Sequence, residues 1–289
     1  MRVHLAALKL AWQMERCTMS YQLGFFNRPW NPAPLEEAVD AIASLGVKNV
    51  GLLGLATGAI VDWQSTEQEI QRVRGLLVAR SLRLHALRAS VDFSVPLTEA
   101  IARFRRLCDN AAALGADTLL EMGAQDPARY EFYLEVMRAT APYAAQKGLR
   151  ICLKPHGGLS ASGAGCLFAV ENVGHPAYRL WYDAGNIIYY HNLDPLLELY
   201  PLQGQIRGLC IKDCGFLDGR PTVALNPGEG KVDFRALFRA LAAAGFQEGP
   251  CLVETLAGSS VAEVTANARR AMAYLSAVLD ELRLPYSWA

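Results

Sequence analysis

Residues 149–158 read LRICLKPHGG. Leu149, Ile151, Cys152 and Leu153 form an apolar run of strand length that ends in Lys154-Pro155-His156 and a glycine pair. A lysine closing a buried strand is costly unless something pairs with it, so the strand is expected to deliver Lys154 to a polar site. Seven further runs of the same kind surround it: MSYQLGFF (19–26), KNVGLLGL (48–55), LRLHALRAS (82–90), ADTLLEMGA (116–124), YRLWYDAGN (178–186), IRGLCIKDC (206–214) and GPCLVET (249–255). The last five of the eight lie about thirty residues apart, the spacing of strand–helix units with a parallel sheet.

Helical periodicity fills the gaps. Residues 34–46 open on Pro and acids and stop at Gly46, and 97–115 offer Thr98 as a cap and Gly115 as a stop. Residues 232–246 carry Asp233 and Gly245 at the capping positions, and 260–282 form the longest helical stretch. Eight strands, nearly continuous apolar runs and no linker predict a single α/β domain over 18–289, preceded by a short helical extension over 1–17. The count of eight, the length of 289 residues and the lack of a glycine-rich phosphate loop after the first strand favour a (β/α)8 barrel over a doubly wound sheet.

Composition narrows the partners. The 28 basic and 28 acidic residues balance, which leaves no electrostatic footprint for nucleic acid or an anionic membrane. The seven cysteines are odd in number, scattered and without a CxxC pair, as expected of buried thiols in a reducing compartment. The stretch MRVHLAALKLAWQMERC (1–17) is broken by Lys9 and resembles neither a signal peptide nor a membrane span. A cytoplasmic protein with a small-molecule substrate is the expectation.

In a barrel the chemistry sits where strands end. Those ends offer Arg88 and Asp92, Glu121, Lys154 and His156, Asp183 and Asn186, Cys210 with Lys212 and Asp213, and Glu254. Alternation puts Lys154 and His156 on one face of their strand and Cys210 and Lys212 on one face of theirs. Trp30, in NRPWNP, is placed at the pocket mouth, and Tyr189, Tyr190 and His191 after Asn186 are candidate substrate contacts. The glycine-rich 154–166 segment offers a loop able to close over a ligand. NPGEGKVDF (226–234) leads into a helix where many barrels hold phosphate.

The motifs YDAGN, IKDC, NPGEGKVDF and CLVET, in that order and spacing, resemble the xylose isomerase-like TIM-barrel superfamily over about residues 18–280. The resemblance implies a sugar isomerase, epimerase or lyase that moves a proton next to a carbonyl, often as a homo-oligomer. It also implies one divalent metal (Mn, Mg, Zn or Co) held by Glu, Asp, His and Glu at the ends of the last four strands. This chain keeps Asp183 and Glu254 but has Lys154 and Cys210 at the other two positions. An ammonium repels a divalent cation, so the expectation is no catalytic metal, with a fixed positive charge in its place. Should an ion bind, Asp183 and Glu254 would hold it with Cys210 or His156, or with Glu121 and His156. Catalytic roles fall to Glu254 as acid or base, Lys154 and Asp183. Substrate contacts fall to His156, Asn186, Lys212, Asp213 and Glu121, with the resemblance letting Lys212 and Asp213 line or brace the pocket and making 226–234 mostly a structural turn. The alternative from another class is a sugar-binding or regulatory barrel without turnover.

Overall fold

The computed structural model describes residues 20–31, 33–55 and 58–289. The extension expected over 1–17, with Trp12 and Cys17, lies outside the described residues.

Eight strands form a closed parallel barrel: β1 (Tyr21–Phe26), β2 (Asn49–Leu52), β3 (Arg83–Arg88), β4 (Thr118–Glu121), β5 (Arg150–Leu153), β6 (Tyr178–Asp183), β7 (Ile206–Ile211) and β10 (Gly249–Val253). The pairing of β1 with β10 closes it, Tyr21 opposite Gly249 and Phe25 opposite Val253. A hairpin, β8 (Gly215–Leu217) and β9 (Arg220–Thr222), rises from the loop after β7, and β11 (Tyr286–Ser287) adds to the start of β1. The major outer helices are α1 (Leu35–Ser44), α2 (Glu67–Val78), α3 (Leu97–Leu114), α4 (Tyr130–Gln146), α5 (Gly163–Val173), α6 (Ala184–His191), α7 (Pro195–Leu199), α8 (Phe234–Ala243) and α9 (Val261–Leu282).

Two apolar layers hold the fold. The larger joins the outer faces of the strands to the helices, with Tyr21, Val50, Leu119, Ile151 and Leu209 meeting Ile42, Phe104, Met137, Phe238 and Leu275. The smaller fills the barrel with one residue from each strand or its end: Phe26, Leu53, Ala86, Leu120, Cys152, Trp181, Cys210 and Leu252. Large rings in this layer need facing gaps. A Cβ on Gly51 would lie 2.2 Å from the Phe26 ring, and one on Gly208 would lie 2.4 Å from Trp181, so both glycines are required by packing.

Capping follows the sequence at most helix ends. Asp233 caps α8, Asp194 caps α7, and Gly115 ends α3 in the left-handed conformation at φ 90°. Thr98 is not a cap: Pro96 takes that position, and Thr98 lies inside the first turn of α3.

Candidate active site

The interior ring fixes which strand positions face the barrel mouth. Two residues beyond Cys152, Trp181, Cys210, Leu252 and Phe26 stand Lys154, Asp183, Lys212, Glu254 and Arg28. Five charged side chains from five neighbouring strands therefore converge. All except the half-exposed Arg28 are buried.

Glu254 lies at the centre. Its Oε2 accepts from Lys154 Nζ at 2.6 Å and from Cys210 Sγ at 3.0 Å. Its Oε1 accepts from Arg28 Nη1 at 2.6 Å and Lys212 Nζ at 2.7 Å. Asp183 Oδ2 has ion pairs with both lysines, at 3.2 Å to Lys154 and 3.3 Å to Lys212. Its Oδ1 caps α6 through the Asn186 N–H at 2.9 Å. Asn186 is fixed in turn, its Nδ2 donating to the Pro155 carbonyl at 2.7 Å and its Oδ1 accepting from Lys212 at 2.9 Å.

Electrostatics sets the protonation states. Burial works against the charged form of Glu254, but Lys154, Lys212 and Arg28 outweigh it and hold the carboxyl well below the usual range. Burial would lower Lys154, yet Cys210, Glu254 and Asp183 reverse this and hold the ammonium above its ordinary value. Burial pushes the Cys210 thiol well up, so the two carboxylates are the charges that act on Lys154 at neutral pH. Three cations face two carboxylates, leaving one positive charge unmatched among the described residues.

Above this cluster opens a cavity of about 120 Å³, lined by Arg28, Lys154, His156, Asn186, Lys212 and Glu254 with Met122, Tyr189, Tyr190 and Val223. At about 30 Å³ per water it holds the space of roughly four, enough for the reacting end of a small molecule. Tyr190 Oη and His156 Nε2 are 2.6 Å apart, and His156 Nδ1 is buried without a partner among the described residues. Burial first, then the lysine charges, lower the His156 pKa to about 4, so the ring is neutral at pH 7.

Lys154, His156, Asp183, Asn186, Lys212, Cys210 and Glu254 are thus brought together, and Tyr189 and Tyr190 join them from α6. Two expected substrate contacts are corrected. Glu121 shares the outward face of β4 with Leu119; it accepts from the Val91 N–H at 3.1 Å and the Gly123 N–H at 2.9 Å, away from the cavity. Asp213 is a brace: its oxygens take the N–H groups of Cys214, Gly228, Gly230 and Val232 at 2.8–3.1 Å. The other backbone donors of 226–232 are taken by the Asn226 and Cys214 carbonyls and by Glu229 Oε2, so this segment is a structural turn rather than a phosphate cradle.

Trp30 is buried rather than at the mouth, edge-on to Phe25 and bonded to Thr265 Oγ1 at 3.0 Å. His191 ends α6 outside the cavity lining. Arg88 and Asp92 line a separate cavity beside Trp63. Arg28, which lines the cavity and bonds Glu254, is not among the residues singled out from the sequence. Asn27 is already helical and Arg28 opens a short 3-10 turn, so strand alternation stops at Phe26 and does not mark it.

The residues do not fit a divalent cation. Asp183, Cys210 and Glu254 offer ligand atoms within 4.8 Å of one another, but the Lys154 ammonium already bonds Glu254 and pairs with Asp183. The buried thiol is protonated and donates to Glu254. An ion would have to expel or neutralise Lys154 while Lys212 and Arg28 repelled it.

Comparison with known proteins agrees with the fold. The family model described as xylose isomerase-like TIM barrel matches residues 28–278. A search of curated protein sequences finds no match. A xylose isomerase domain protein from Planctomyces limnophilus superposes with a TM-score of 0.71 at 18% identity, covering 91% of this chain and 98% of that one. A D-psicose 3-epimerase solved in the presence of D-fructose gives 0.71 at 16% identity, with 89% and 99% covered. The probable 3-DHS dehydratase AsbF from Bacillus anthracis gives 0.68 at 15%, with 87% and 98% covered. The chain belongs to the xylose isomerase-like TIM barrel family.

Proposed function

We propose that this barrel is an enzyme acting on a small carbohydrate-derived carbonyl compound, moving a proton at the carbon next to the carbonyl without a metal ion. The observation that carries the reading is the placement of two lysine ammonium groups between Asp183 and Glu254. In that place they donate to an oxygen on which negative charge develops, the task that electrostatic stabilisation performs best when the donors are fixed in advance. Structural neighbours that include an epimerase and a dehydratase support a reaction that begins with removal of such a proton.

In this scheme the substrate carbonyl oxygen meets Lys154 and Lys212. The neutral His156 ring takes the proton from the adjacent carbon on its unprotonated nitrogen, and the C–H electron pair moves into an enolate held by the ammonium groups. Delivery of a proton from water to the other face of that carbon, with His156 giving up the abstracted proton to the hydroxide so formed, gives an epimer, and return of the proton to the former carbonyl carbon, after a proton shift between the oxygens, gives an isomer. Loss of a neighbouring hydroxyl as water gives elimination. Glu254 is recast by its geometry. With four donors on its two oxygens it is a poor base and serves as the anchor that positions Lys154, Lys212 and Arg28. The unmatched positive charge suits a substrate with an anionic substituent. No nucleic acid or membrane partner is proposed; no helix among the described residues is long and apolar enough to cross a membrane.

The test is deuterium incorporation next to the carbonyl for a panel of keto-sugars and keto-acids in D2O, followed by NMR with chelator present. Exchange lost in Lys212→Met and His156→Gln supports the proposal. Saturable binding of panel members without exchange would overturn it in favour of the non-catalytic barrel, a reading favoured by the low basicity of both His156 and Glu254.

A further inference from the structure

The strands that deliver the site at one mouth of the barrel begin, at the other, with arginines. On β5 the inward face reads Arg150, Cys152, Lys154, and on β6 it reads Arg179, Trp181, Asp183. On β7 alternation alone would turn Arg207 outward. However, the register with β6 slips there, Leu180 pairing with Ile206 and Trp181 with Gly208, so Arg207 is the extra residue of a bulge. Bulges re-aim side chains, and Arg207 lines a cavity of about 520 Å³ at this mouth with Arg83, His85, Asp117, Arg150 and Glu248. His85 is likewise the extra residue where β3 slips against β2.

The charges here do not cancel. Asp117 is shared by Arg83 and His85, each at 3.1 Å. Glu248 is exposed and has no ion pair among the described residues. Arg150, Arg179 and Arg207 have no carboxylate within ion-pairing distance among the described residues. Arg179 and Arg207 donate to backbone carbonyls, and Arg179 Nε is buried without a partner. The three are close enough to act on one another: burial, then the Arg179 charge, lower the Arg207 pKa, and all three charges act on the buried Cys152 thiol.

We propose that the N-terminal mouth of the barrel binds a phosphoryl group, as inorganic phosphate or a phosphate monoester. Guanidinium forks match phosphate oxygens two at a time; Arg150 and Arg207 line the cavity with Arg179 acting from beside it, and with the unpaired Glu248 counted the three leave two positive charges for a dianion. The cavity leaves room beyond the phosphate for an organic group. The ligand would tie β5, β6 and β7 together at the end opposite the chemistry, stabilising the barrel by linkage.

The test uses the full chain with inorganic phosphate and, separately, a set of phosphate monoesters, at ionic strength fixed with NaCl. Binding is read by 31P NMR titration and by melting temperature. Saturable binding is expected, with a rise of about 2–4 °C at tenfold excess over Kd. Arg150→Gln should weaken it at least about tenfold, and Arg150→Gln/Arg207→Gln should abolish it, while Arg28→Gln leaves it intact. Arg150 is exposed, so the single variant carries the test if the double one does not fold. The arm with the lower Kd identifies the source of the phosphoryl group. No saturable binding would overturn the proposal. So would binding lost in Arg28→Gln but kept in Arg150→Gln, which would place the anion in the other pocket.

Discussion

Replacing Lys154 with Met removes the group that stands between Glu254 and Asp183, at 2.6 and 3.2 Å, with only 1% of its side chain exposed. Breaking a buried pair by deleting one partner leaves a charge without compensation and costs about 3–5 kcal/mol. Lys212 and Arg28 still reach Glu254, which places the expected loss near the lower figure, about 3 kcal/mol. For a chain of this size that corresponds to a fall in melting temperature on the order of 5–10 °C. Glu254→Gln leaves three cations around a neutral amide and should cost at least as much. In the double variant each change removes the reason for the other's cost, so the two should couple by about 1–3 kcal/mol in the stabilising direction. Denaturant unfolding of the four proteins, followed by circular dichroism, measures the cycle. Additivity within about 0.5 kcal/mol would refute the reasoning, because the lysine would then not be part of the charge cluster.

Three further outcomes are expected. Glu121 has its pKa raised to about 7, chiefly by burial, so its folded state keeps a proton that the unfolded chain releases near pH 4.5. Its contribution to stability is therefore present below that pH and lost as pH rises to about 7. Relative to Glu121→Gln, wild type should lose about 2–3 kcal/mol between pH 5 and 7, read by denaturant unfolding at each pH. Asp213→Ala strips four backbone N–H groups of their acceptor and should destabilise by about 3 kcal/mol or more, measured the same way. Proteolysis should then cut first within 226–232. His156→Gln should leave the melting temperature within about 2 °C of wild type and lower proton exchange at least about a hundredfold, measured by deuterium incorporation.

Much of the barrel was legible because eight apolar runs recur with punctuated helices between them, and because charged residues close four consecutive strands. Alternation then put Lys154 with His156, and Cys210 with Lys212, on shared faces. The resemblance drew Asp213 toward the substrate, whereas the structure ties it to the backbone of the next loop. Glu121 was illegible for a different reason. On a strand buried on both faces, Leu119 and Leu120 are equally apolar, so the sequence carries no phase to say which side Glu121 takes. Arg28 reaches a partner 226 residues away, a contact no local pattern encodes. The bulges that turn Arg207 and His85 into the opposite mouth change the phase of a strand midway, and only the register reveals them.

The central claim is that Lys154 and Lys212 occupy the place of an ion and that the site works without one. Elemental analysis of protein purified without chelator, followed by titration with Mn²⁺ and Zn²⁺ during the deuterium-exchange assay, tests it most directly. The expected result is no stoichiometric ion, no saturable binding at Asp183 and Glu254, and exchange that neither metal nor chelator alters. A tightly bound ion whose removal abolishes exchange, and whose binding is lost in Glu254→Gln, would contradict it.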